Sequence, residues 1–181
     1  DALRKLLTNR ANINARDIRG QTPLHYTCRH SDAQVMQSLL REGAAINIQD
    51  IDRIAPIHHA AIHGHRPAIQ SLIKAGTDVN LVDALGNTPL FWATYKGHSD
   101  LVKDLRKDSN IRLRDHNGRT PLHIAAIAEV DGPRREKVVA LLLDIDAAKE
   151  EKDKFNAAKD RFGRHREVIA LLLNKGADLE A

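Results

Sequence analysis

A four-residue phrase that returns at a nearly constant interval limits this chain more than any other feature. Thr22-Pro23-Leu24-His25 comes back as Ala55-Pro56-Ile57-His58, Thr88-Pro89-Leu90-Phe91 and Thr120-Pro121-Leu122-His123, in steps of 33, 33 and 32 residues. An interval of that size means stacked supersecondary units, because one such unit cannot bury its apolar side alone. Other residues keep the interval. Asp17, Asp50, Asp83 and Asp115 each stand six residues ahead of their proline, and Gly20, Gly86 and Gly118 follow three later, with Arg53 as the exception. Leu39-Leu40, Leu72-Ile73 and Leu142-Leu143 recur downstream, the first two pairs followed by Gly43 and Gly76.

These residues punctuate helices. Thr22 can cap a helix through its hydroxyl, and Pro23 suits the first helical position, where no amide hydrogen is needed. Ala60-Ala61 and Ala125-Ala126 give that helix a thin side for close approach. Gly64 and Gly97 stop it after about two turns, since glycine takes positive φ without strain. A second helix follows, as in residues 68–73, with its apolar side at helical spacing. Asp-x-x-Gly then marks a tight turn before the next unit.

The segments "DIRGQTPLHYTC", "APIHHAAIHGH", "LGNTPLFWATYKGH" and "NGRTPLHIAA" resemble the ankyrin repeat, and the resemblance covers nearly the whole chain. It implies an all-α solenoid of L-shaped helix pairs with β-hairpin-like loops, whose concave face is lined by one helix layer and the loop tips. It also implies a Thr–His side-chain bond that braces each loop. Ala55 would lose that bond, and Phe91 puts apolar bulk where the imidazole stands. The expected layout is one ankyrin-repeat domain over 1–181. A partial repeat (1–16) leads into repeats at 17–49, 50–82, 83–114 and 115–152, then a degenerate one at 153–181. Both ends fall inside a repeat, which suggests a piece of a longer protein. Residues 127–138 exceed their counterparts by about four and read as an enlarged, solvent-facing loop.

Catalytic readings fare poorly. His59 and His63, at i and i+4, share a helix face that can hold zinc. However, His58 belongs to the phrase, His65 to a Gly-His turn repeated at Gly97-His98, and no Cys or carboxylate joins them, so no metal is expected. Cys28 lies near His25 and His30, yet it occupies the slot of Ala61 and Ala126, which suggests packing rather than a nucleophile. His98-Ser99-Asp100 is a triad only as text, since adjacent side chains point apart. The glycines are scattered, so no phosphate-binding loop exists. No catalytic residue or cofactor is expected. Asn80 stands where the resemblance implies a β-hydroxylation site, though its amide can simply hold the loop by hydrogen bonds.

Compartment and partner follow from composition. Apolar residues at 42% suffice for a core, but aromatics at 3% leave it to Leu, Ile, Val and Ala. No apolar run approaches the ~18 residues of a membrane span, and a signal-peptide pattern is missing. A lone cysteine excludes an internal disulfide framework, so an intracellular setting (cytoplasm or nucleus) is expected. By the resemblance, the concave face carries Arg19, Arg29, Ile51, Ile54, Ile62, His63, Leu85, Tyr95, Lys96, His116 and Arg119, with Ile127 nearby and Trp92 read as core. An apolar centre with an Arg-rich rim is how protein interfaces are built. The expected function is a non-enzymatic scaffold or adaptor module for a protein or peptide with acidic character. The alternative is a regulatory segment of a larger enzyme, channel or transcription regulator. Nucleic acid is not expected: net charge is only +4, the basic residues alternate with aspartates, and no aromatic stacking platform appears.

Overall fold

The computed structural model describes residues 12–128 and 130–143. Each periodic aspartate builds the same turn. The main-chain N–H of Asp17, Asp50, Asp83 and Asp115 donates to the carbonyl four residues ahead at 2.9–3.0 Å. Their Oδ1 atoms each accept two amides, two and four residues on, at 2.8–3.0 Å. The turn needs a left-handed residue at its third step, and Gly20, Gly86 and Gly118 supply it with φ of 75°, 81° and 75°. Arg53 adopts φ 57° there despite its Cβ, a conformation costing roughly 1–2 kcal/mol in an L-residue. Arg53→Gly should therefore raise stability, by about 0.5–1 kcal/mol once the freer unfolded chain is counted. A higher urea midpoint at unchanged slope is the check.

From each turn the chain enters a short helix: α1 (Pro23–His30), α3 (Pro56–His63), α5 (Pro89–Tyr95) and α7 (Pro121–Ile127). It returns through α2 (Ala33–Arg41), α4 (Arg66–Lys74), α6 (Ser99–Leu105) and α8 (Gly132–Leu143). The first helices stack in the order α1, α3, α5, α7, and the second helices stack beside them as α2, α4, α6, α8. Among the described residues there is no strand, and the result is an all-α solenoid of two layers. Leu24, Ile57 and Leu90 from the first layer meet Met36, Leu39, Ile69, Leu72, Val102 and Leu105 from the second, all buried. Ala60, Ala61, Ala93 and Ala125 are buried on the thin side of their helices, and Cys28 and Thr94 fill the slot of Ala61.

Side chains carry bonds from one unit to the next. Nδ1 of His25 accepts the Thr22 N–H at 3.0 Å, so Nε2 holds the proton and donates to Ile54 O at 3.1 Å. His58 repeats this on Ala55 N–H, Leu81 O and Asn87 O at 3.1, 3.1 and 3.2 Å. The damaged phrase at Ala55 thus loses only the hydroxyl bond and keeps the brace. At Phe91 the brace is gone, because a phenyl ring offers no donor. A second ladder joins the turns: Oδ1 of Asn14, Asn47 and Asn80 accepts the backbone N–H of Ala45, Asp78 and Asn110 at 2.8, 3.2 and 2.7 Å. The Gly-His turns form a third, with His65 and His98 donating to Arg29 O and Ile62 O at 3.0 and 3.2 Å.

Two sequence expectations need correction. The Thr22 and Thr120 hydroxyls do not cap backbone amides but meet Nδ1 of His25 and His123 at 2.9 and 2.7 Å, because that imidazole lies between hydroxyl and helix. Only Thr88, where Phe91 removes the imidazole, accepts a helix amide, at 3.4 Å. Nor are residues 127–138 an enlarged loop. The helix α8 already begins at Gly132 and runs 12 residues, against 9 in α4. Asp131 Oδ1 accepts the Arg134 N–H at 2.9 Å, and Pro133 tolerates a first turn, so Asp131-Gly132-Pro133 starts a helix. Ala128 in the remaining connection is fully buried. The expected partial repeat at 1–16, up to residue 11, and the degenerate repeat at 153–181 lie outside the described residues.

Candidate interaction surface

Each first helix buries the side that carries the phrase and leaves residues three and four apart on the other side. The residue directly after the phrase therefore forms one column, Tyr26, His59, Trp92 and Ile124. Three positions on, Arg29, Ile62, Tyr95 and Ile127 form another. The turn aspartates fasten this face through their second oxygens. Tyr26 Oη donates to Asp17 Oδ2 at 2.6 Å, Gln21 Nε2 to Asp50 Oδ2 at 2.9 Å, and Trp92 Nε1 to Asp83 Oδ2 at 2.9 Å. Arg119 grips Asp115 Oδ2 with Nε and a terminal nitrogen, both at 2.7 Å. Arg119 is thereby held by its own loop while its side chain stays partly exposed beside the face.

Between α5 and α7, the last two first helices described, the face holds a depression of about 290 Å³, lined by Leu85, Phe91, Trp92, Tyr95, Ile124 and Ile127, with Asn87 and Arg119 at its polar side. Leu85, Tyr95 and Ile127 are 61%, 41% and 55% exposed, unusual for large apolar side chains. Trp92 packs edge-on against Tyr95 with ring centroids 6.3 Å apart, and Lys96 Nζ lies 5.4 Å from the Tyr95 ring centre. Trp92, expected in the core, is only half-buried: one side touches the core and the other lines the depression. Its neighbours on the sequence gave the signal, since the same slot holds outward-facing Tyr26 and His59.

Toward the first unit the face becomes imidazole-rich. His25 meets His59 edge-on at 5.8 Å, and His59 and His63 stack at 6.4 Å, followed by His65 at 5.9 Å. Burial, reinforced by His25, pushes His59 down to about 4, with Asp50 opposing. Burial also lowers His25, His58, His63 and His123. Among the described residues no group of three or more His, Cys, Asp or Glu is placed to hold a metal ion. Cys28 is fully buried, its thiol pushed up to about 12 by desolvation, and it contacts Met36 Sδ at 3.9 Å. His98 and Asp100 of the textual triad engage Ile62 O and Lys137 instead of each other.

The other expected contacts spread along the rim. Arg19, Ile51 and His116 sit exposed at the loop tips, tied tip to tip by Ile51 N–H to Arg19 O at 3.0 Å and His116 N–H to Leu85 O at 3.0 Å. Arg29, His63 and Lys96 are exposed at helix ends, whereas Ile54 and Ile62 are half-buried and lend their carbonyls to the braces. Asn80 is a rung of the asparagine ladder. Asn80→Ala should remove this rung and, because water can take over the exposed Asn110 N–H, lower stability by only about 0.5–1 kcal/mol, measurable by urea unfolding. No described helix is long and apolar enough to cross a membrane.

A comparison with curated proteins gives no match. A family model described as ankyrin repeats (3 copies) matches residues 1–83, 57–153 and 90–181. Proteins of that family are generally protein–protein interaction modules and typically non-catalytic. The three matches run the length of the chain and take in every copy of the phrase that starts α1, α3, α5 and α7, so this chain belongs to the ankyrin-repeat family.

Proposed function

We propose that this chain is a non-catalytic interaction module, a scaffold or adaptor segment acting inside the cell. It holds a partner polypeptide of acidic character on the first-helix face and loop tips. One observation carries the reading. Leu85, Tyr95 and Ile127, all exposed, gather around a single depression. Isolated surfaces scatter large apolar residues singly, and a contiguous group rimmed by polar side chains marks a docking site. The depression lies at the lower edge of the ~300–1,000 Å³ typical of small-molecule sites, which favours side chains over a cofactor. Turn carboxylates already hold Trp92 and Arg119, so a partner finds this surface ordered and binding loses less side-chain entropy.

The test is site-specific photo-cross-linking in cell extract, with p-benzoylphenylalanine placed at Leu85 or, on the opposite layer, at Lys74. Polypeptide adducts should form from the first position and not from the second. Equal yields from both positions would remove the concave face from the account.

A further inference from the structure

We propose that the segment held on this face is an acidic one with a single large apolar residue. That residue enters the depression between α5 and α7, while neighbouring carboxylates lie against Lys96 and, further along the face, Arg29. The inference rests on the interaction-module reading above and narrows it to one chemistry of partner.

The depression exists because of a local change in the repeated phrase. In the first two units the buried imidazole reaches across and bonds the next loop, at Ile54 O from His25 and at Asn87 O from His58. Phe91 cannot make that bond, and Arg119 in the next loop turns to its own Asp115. The seam between the third and fourth units thus lacks the imidazole bond, although His116 N–H to Leu85 O and Arg106 to Leu141 O still cross it, and its outer part stays open. Phe91, Trp92, Ile124 and Ile127 give it apolar walls.

The turn carboxylates nearest the depression are buried and engaged, and the exposed charge at its lip is positive. Asp83 is saturated by the N–H groups of Leu85 and Asn87 and by Trp92 Nε1. Asp115 is saturated by the Asn117 and Arg119 amides and the Arg119 guanidinium. Asp115 is offset by the Arg119 guanidinium, whereas Asp83, held by neutral donors, keeps its charge beneath Trp92. The cations are placed otherwise. Lys96 leans over Tyr95, at the lip of the depression. Arg29 and Lys96 both lie within electrostatic reach of His63, between them on the face. Ends of α1 and α3 favour cations through their carbonyls, but Arg29 O and Ile62 O are already bonded by His65 and His98. The exposed heads of Lys96 and, further along the face, Arg29 therefore present positive charge to a segment lying in the depression.

Trp92 is the single tryptophan of the chain and lines the site, so its emission reports occupancy directly. The whole chain is titrated in low salt with a synthetic dodecapeptide of Glu, Ser and Gly around one central Phe. Two control peptides replace that Phe by Ser, or every Glu by Lys. The acidic Phe peptide should shift Trp92 emission saturably and bind at least about tenfold more tightly than either control. Lys96→Glu, with circular dichroism to verify the fold, should weaken it by a similar factor and favour the Lys peptide instead. Equal affinity for the Ser or Lys peptide, or no saturable shift, overturns the inference. If adducts still form from Leu85 in that case, the module reading survives with a different partner chemistry. If they too are lost, both fail.

Discussion

His58→Ala should cost this protein about 3 kcal/mol, one of the largest losses any single side chain here can cause. His58 is completely buried. It accepts the Ala55 N–H through Nδ1 and donates through Nε2 to Leu81 O and Asn87 O. Alanine leaves a cavity in the stack and strands buried backbone groups on two successive units, so the packing and hydrogen-bond losses add. For a chain of this size the loss corresponds to roughly 6–12 °C in Tm. His123→Ala is the contrast. His123 is only partly buried and holds Thr120 within its own unit, so its loss should stay near 1 kcal/mol. Because a repeat array couples neighbours rather than the whole, His58→Ala should also broaden the urea transition by uncoupling the second and third units. Equal losses in the two variants would mean that the cross-unit brace contributes nothing beyond ordinary burial.

Acid should destabilise the fold well before its carboxylates titrate. His25, His58, His59, His63 and His123 are all lowered, and in every case burial is the leading cause. In the unfolded chain these imidazoles take up protons near pH 6.5, whereas the folded chain holds them neutral. The unfolded state thus binds more protons, and stability is full above about pH 6.5 and falls as pH drops toward the folded values. His59, pushed down to about 4, defines the window, from about pH 6.5 to pH 4. It is partly exposed, so its share by pH 5 is discounted to about 1–2 kcal/mol, and the four other histidines act with the same sign. Thermal melts from pH 7.5 to 4.5 should show Tm falling through this range, and His59→Leu should flatten the curve. A Tm independent of pH down to 5 would contradict the buried neutral imidazoles.

How much could be read from the chain alone differs between frame and surface. Asp17, Asp50, Asp83 and Asp115 announce their turns in sequence because an Asx turn is a local object: carboxylate, amides and left-handed residue lie within four positions. Helix starts at Pro23, Pro56, Pro89 and Pro121 are local for the same reason. Arg53 was visible as a departure, and the structure places it at positive φ. The residues at 127–138 misled because Gly132-Pro133 reads equally as loop or as helix start, and only the packing of Val138 and Val139 favours the helix. Leu85, Tyr95 and Arg119 were found by counting along the repeat. Trp92 reads as core because it follows the phrase directly, and its dual contact depends on the neighbouring unit.

Periodicity by itself therefore determined the fold, the starts of the four described first helices and which of their sides is buried, since each of these follows from spacing within a single unit. Tertiary structure alone decided that Phe91 leaves a seam open, that Trp92 divides itself between core and depression, and that Lys96 lies near His63 of the preceding unit. Those are properties of pairs of units, set by side chains about thirty residues apart, and spacing along one chain carries no information on how two side chains from different units divide the space between them.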